Sequence, residues 1–141
     1  MMAVILIGCA LVAVTVFVHA AGLSLVLRLL PRAPAEMPTR HWSITWLLIH
    51  VVMSLILIHL AEITVWALCY WWAGCLPNAE SAVYFSGVSY TTIGFGDVVL
   101  SEPWRLLSPV EGLTGILMCG LSAGLLFALL SRIYELRTKK R

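Results

Sequence analysis

The chain has 141 residues, 61% of them apolar and 11% charged, with a mean hydropathy of +0.97. That balance excludes an ordinary soluble domain and points to an all-α membrane protein. The net charge of +2, with basic residues gathered at segment ends, also excludes nucleic acid as a partner.

Three stretches, 3–30, 44–67 and 106–130, meet the roughly 20 apolar residues that a spanning helix needs. The first has no charged side chain before Arg28. Its Leu6-Ile7-Gly8-Cys9 run looks like a lipoprotein cleavage box, but no basic side chain precedes it and the apolar run continues past Cys9. Residues 1–30 therefore read as an uncleaved, peripheral transmembrane helix. Pro31, Pro34 and Pro38 then break the helix and make 31–41 a loop. Arg28, Arg32 and Arg40 outnumber Glu36 around that loop, and Arg132, Arg137, Lys139, Lys140 and Arg141 outnumber Glu135 in the tail. By the positive-inside rule both regions are cytoplasmic, which puts the N-terminus outside and the C-terminus inside the cell membrane.

The second span, an outer helix over 42–72, has Trp42 and Trp46 at its inner end and Trp66, Tyr70, Trp71 and Trp72 at its outer end, as interfacial anchors would be. Cys69 and Cys75 flank that cluster, either as structural thiols or as a bridge within or between chains. Segment 81–92 is too short and polar to cross, yet both neighbouring spans end outside, so it must dip in and return. A reentrant pore helix over 79–91 follows, with Asn78 capping it and Glu80 favoured by the helix dipole. Irregular backbone at membrane depth must be buried or line water, which predicts a pore or cavity after Thr92.

That next segment reads Thr91-Thr92-Ile93-Gly94-Phe95-Gly96-Asp97. Gly94 and Gly96 can take the positive φ that side chains resist, and alternating handedness aims successive carbonyls one way. Four such strands around an axis would stack oxygen rings from Thr92, Ile93, Gly94 and Phe95, with the Thr92 hydroxyl as an inner ring. Such rings replace the hydration shell of a permeant K+, while Ile93 and Phe95 pack behind the filter. Each chain supplies a quarter of the filter, so a homotetramer is expected. A phosphate cradle is excluded, because Gly94-x-Gly96 lacks the third glycine and no Lys-Ser or Lys-Thr pair follows.

At these residues the sequence resembles the potassium channel pore family. Tyr84-Phe85-Ser86, Ser89 and Thr91-Thr92 are similar to the pore helix of simple bacterial potassium channels, and Thr-Ile-Gly-Phe-Gly-Asp looks like the filter of two-pore-domain channels. The resemblance covers 42–132 and implies a pore domain over 42–141: outer helix 42–72, pore helix 79–91, filter 92–97, inner helix 105–134 and a basic tail 135–141. The first span has no counterpart in that two-helix plan. Val88 stands where some members place a Glu opposite the filter Asp, which leaves the Tyr84 hydroxyl as the partner for Asp97. Phe95 replaces the commoner Tyr, so a tether between filter and pore helix is lost.

His50, His59 and Glu62 lie in the second span, where ionisable groups mark function by default. His59 and Glu62 share a face and His50 lies opposite, so one helix cannot supply a metal triad; each histidine is expected to bond a neighbouring helix. Glu62 and Glu111 are either proton-sensitive struts behind the filter or interfacial carboxylates that reach water. Gly112, Gly115, Gly120 and Gly124 permit close helix approach, with Gly115 as the alternative gating hinge. The basic tail is a topological anchor that can also touch anionic lipid. No nucleophile–base pair or cofactor motif is visible and no span carries regularly spaced arginines, so neither an enzyme nor a voltage sensor is expected. The competing reading to a potassium channel is a non-conducting scaffold or accessory subunit.

Overall fold

A computed structural model of the chain describes residues 2–30 and 41–138. Among the described residues four α-helices follow one another: α1 (Met2–Leu29), α2 (His41–Trp72), α3 (Ala79–Tyr90) and α4 (Leu107–Thr138), the last entered through a 3-10 turn at Trp104–Leu106. The proline-rich stretch 31–40 and the tail residues Lys139, Lys140 and Arg141 fall outside that description. Helices α1, α2 and α4 are each long and apolar enough to cross a membrane. At 1.5 Å per residue α3 reaches only about 18 Å, short of the roughly 30 Å hydrocarbon core.

Local chemistry sets the helix ends. Asn78 is extended and its Oδ1 accepts from Ser81 N at 2.8 Å, which caps α3, while Glu80 sits in the first turn where the helix dipole favours an acid. Helix α4 continues past the expected end at 134 to Thr138, because Glu135, Leu136 and Arg137 are good helix formers and no glycine or proline interrupts them. The start of the expected basic tail is thus helical.

Helix α1 buries one stripe, Val4, Gly8, Leu11, Thr15, His19 and Val26, against α2 and α4. Gly22 makes the approach close, since a Cβ there would stand 2.6 Å from Ile58 Cγ1. Helix α3 is wedged between α2 and α4. Around it the core holds Trp66, Tyr70, Phe85 and Leu107. At the opposite end of the bundle the core is Val26, Val51, Leu55, Leu129 and Ile133.

Candidate functional site

The end of α3 delivers the chain into the glycine-containing segment. Thr91 caps the helix, with its N–H and hydroxyl both donating to Gly87 O, at 3.1 and 2.6 Å. Thr92 N then donates to Ser89 O at 3.0 Å, and Gly94 N to Val88 O at 3.3 Å. Three alternate residues take left-handed backbone: Thr92 at φ 60°, Gly94 at 59° and Gly96 at 77°. The two glycines match the expectation and Thr92 goes beyond it. Positive φ on a β-branched residue costs about 1–3 kcal/mol and persists only where its surroundings enforce it. Here the last turn of α3 holds it. Ile93 and Phe95 project into the open, 57% and 68% exposed on the single chain.

Asp97 closes the segment. The Tyr84 hydroxyl donates to its Oδ2 at 2.7 Å and holds the carboxyl below the usual carboxylate range. Further polar contacts fix α3 from behind. Ser86 Oγ lies 2.9 Å from Ile63 O of α2 and 2.5 Å from Glu111 Oε1 of α4. The Tyr70 hydroxyl donates to Glu111 Oε2 at 2.8 Å, so this carboxyl joins all three helices. At the end of α3 the Tyr90 hydroxyl donates to Glu62 Oε2, whose other oxygen faces His19 Nδ1 at 2.7 Å. His59 Nδ1 lies 2.9 Å from the Tyr90 oxygen and its Nε2 lies 3.1 Å from Ser122 Oγ of α4.

Several expectations change. Glu62 and Glu111 are wholly buried, which removes the reading of interfacial carboxylates that reach water. Trp66 and Tyr70 are buried as well, because helical periodicity turns them with Ile63 and Ala67 to the core; Trp42, Trp46, Trp71 and Trp72 remain exposed, as anchors would be. His59 does reach α3 and α4, but His50 Nδ1 bonds the Trp46 carbonyl of its own helix. Cys69 and Cys75 are unbridged within the chain. Gly112 and Gly115 lie where α4 crosses the end of α3, a Cβ at Gly115 colliding with the Tyr90 carbonyl, whereas Gly120 and Gly124 face open space.

His19 escaped the sequence reading. The available signal was an ionisable residue inside an otherwise apolar span, one turn from Thr15, whose hydroxyl accepts from Trp66 Nε1 at 2.9 Å. Helix α1 is therefore tied by polar bonds to α2.

Three helices long and apolar enough to span a membrane, with a short fourth helix that ends in an alternating-handed loop, fit a membrane channel. Comparison with known families matches residues 44–132 to the ion channel family, and the chain belongs to that family. No curated protein and no solved structure gives a significant match.

Two expected results arise here. Tyr84→Phe removes the donor that holds the Asp97 carboxyl below the usual range, so its pKa should rise toward the ordinary carboxylate value. An acid-induced change in single-channel current should then begin at higher pH in the variant than in the wild type, and coincident pH curves would count against this bond. Gly115→Ala should push α4 off the Tyr90 carbonyl and cost about 1–3 kcal/mol or more, while Gly120→Ala should be tolerated within the chain. Thermal unfolding of both variants in detergent checks the contrast, and equal midpoints would refute it.

Proposed function

We propose that four copies of the chain surround one axis and form a potassium-selective channel in the cell membrane. The observation that carries this reading is the alternation of left-handed backbone at Thr92, Gly94 and Gly96. Alternating handedness turns successive carbonyls to one side, so the oxygens of Thr92, Ile93, Gly94 and Phe95 form stacked rings in the assembly and Gly96 leads the chain out. A dehydrated K+ exchanges water for these neutral, moderate-field oxygens. The Thr92 hydroxyl supplies the innermost ring and Thr91 anchors the strand to α3. Asp97 stands at the outer mouth as a fixed charge.

In this arrangement α3 is reentrant, and its C-terminal end, partially negative from the summed peptide dipoles, favours a cation just inside the filter. The exposed Ile93, Phe95 and Val99 side chains leave apolar surface that neighbouring copies would cover, which supports assembly. The charge asymmetry supports an outside N-terminus and a cytoplasmic C-terminus. Gly115 acts as a packing seat against Tyr90 before it acts as a hinge.

The test is a reversal potential under opposed potassium and sodium gradients, measured on purified chain in planar bilayers, with native mass spectrometry of the same preparation. A potassium preference from a four-chain species is expected. A conducting species that does not discriminate would refute the filter assignment, and a chain that inserts but passes no ion would instead be an accessory subunit or scaffold.

A further inference from the structure

The groups behind the end of α3 form a cluster that ion conduction does not use. His19 comes from α1, His59 and Glu62 from α2, and one ligand atom from each falls within 4.8 Å of the others. His19 and Glu62 are buried and His59 is 18% exposed, which makes it the accessible member. The Tyr90 oxygen lies among them, bonded to Glu62 Oε2 and 2.9 Å from His59 Nδ1. His19 faces this cluster through Nδ1, and its other ring nitrogen, Nε2, is the one buried side-chain polar atom among the described residues with no hydrogen-bond partner. Three ionisable groups and a phenol are costly to hold at membrane depth and call for a function.

We propose that His19, His59, Glu62 and Tyr90 bind a divalent transition-metal ion of the zinc class within each chain. Two imidazoles and two oxygens are a donor set that zinc accepts. Around a tetrahedral ion with bonds of about 2.0–2.1 Å, ligand atoms stand roughly 3.3 Å apart. His59 Nδ1 stands 2.9 Å from the Tyr90 oxygen and 3.4 Å from Glu62 Oε2, while His19 Nδ1 stands 2.7 Å from the other carboxylate oxygen, Oε1, so a turn of the Glu62 carboxylate accompanies the outward shifts that binding needs. On binding, each imidazole carries its proton on the nitrogen that faces away from the ion, the Glu62 carboxylate offsets part of the ion's charge, and the Tyr90 oxygen is the fourth donor. His59 Nε2–H then donates to Ser122, which fixes that ring.

Tyr90 is the last residue of α3, two residues before Thr92. A bound ion would therefore clamp the filter support to α1 and α2. That effect on conduction rests on the channel reading, whereas binding itself does not.

The experiment loads the full-length chain in detergent with Co2+, a spectroscopic substitute for zinc, and follows visible absorption and equilibrium dialysis. The expected result is about one ion per chain with the intense bands of tetrahedral cobalt, displaced by Zn2+. His19→Ala should weaken binding roughly a hundredfold and leave α3 and the filter sequence untouched. Wild-type chain that binds no cobalt, or binds it only octahedrally, would overturn the site whether or not the variant folds. Undiminished binding in a folded His19→Ala chain would also overturn it. In bilayers, Zn2+ should change wild-type potassium flux severalfold in a chelator-reversible way. A chain that loads cobalt tetrahedrally but carries no flux keeps the metal site and defeats the channel reading.

Discussion

Replacing Gly94 by alanine is expected to abolish selective potassium flux. Among the described residues beyond its chain neighbours, none lies within 4 Å of a Cβ built there, so the effect is not a clash. It comes from the backbone, because φ is 59° and an L-residue in the left-handed region costs roughly 1–2 kcal/mol. In the proposed fourfold assembly that cost would repeat, to about 4–8 kcal/mol per channel, and its relief would turn each Gly94 carbonyl away from the axis. Thr92 tolerates the same angle in the last hydrogen-bonded turn of α3, whereas Gly94 lies beyond it with one longer bond to Val88 O. The reversal potential of the variant should move toward zero under opposed potassium and sodium gradients. A variant that still prefers potassium normally would refute the carbonyl-ring assignment.

Replacing Glu111 by alanine should produce the largest loss of stability. The carboxyl is wholly buried and is the acceptor for the Tyr70 hydroxyl, with Ser86 against its other oxygen. Truncation leaves the Tyr70 donor unpaired, at about 1–3 kcal/mol, and opens a cavity; buried truncations to alanine cost about 2–5 kcal/mol in total. Ser86 keeps the Ile63 carbonyl, so α3 remains attached to α2 while the Ser86 bond to α4 is lost and the Ser89–Ser108 bond remains. Glu111→Gln should fall between, since the amide keeps one acceptor but turns a donor toward a hydroxyl. Unfolding midpoints in detergent for both variants measure this, and an alanine variant as stable as wild type would remove Glu111 from the framework.

The three spans could be read from composition because a bilayer demands a continuous apolar run, a property of sequence alone. The start of α3 is equally local, since Asn78 and Glu80 act within one turn of the residues they serve. Gly94 and Gly96 announced their backbone; Thr92 did not, because its angle is imposed by the end of α3 and not by its own side chain. The burial of Trp66 and Tyr70 is hidden from the sequence for a related reason, and the same reason leaves Glu62 and Glu111 open between buried struts and interfacial carboxylates until the fold is seen. Distance from a helix end tells how deep a residue lies, but the facing helix decides whether it meets lipid or protein. His19 and Glu62 are 43 residues apart, and only the docking of α1 on α2, set by contacts such as Gly22 against Ile58, brings them together.

The two ends of the bundle differ in the kind of contact they make. Around α3 the helices meet through directional bonds at Ser86, Tyr70, Tyr90 and His59, each with one geometry that satisfies it. At the other end Val26, Val51, Leu55, Leu129 and Ile133 meet as smooth aliphatic surface. In lipid such surface gains little from being hidden, so it resists shear weakly and can trade one set of neighbours for another at small cost. The bundle is built like a vice at one end and a plain bearing at the other. Motion of α4 that leaves the loop after Tyr90 undisturbed is therefore easiest in the half of the helix beyond Ser122.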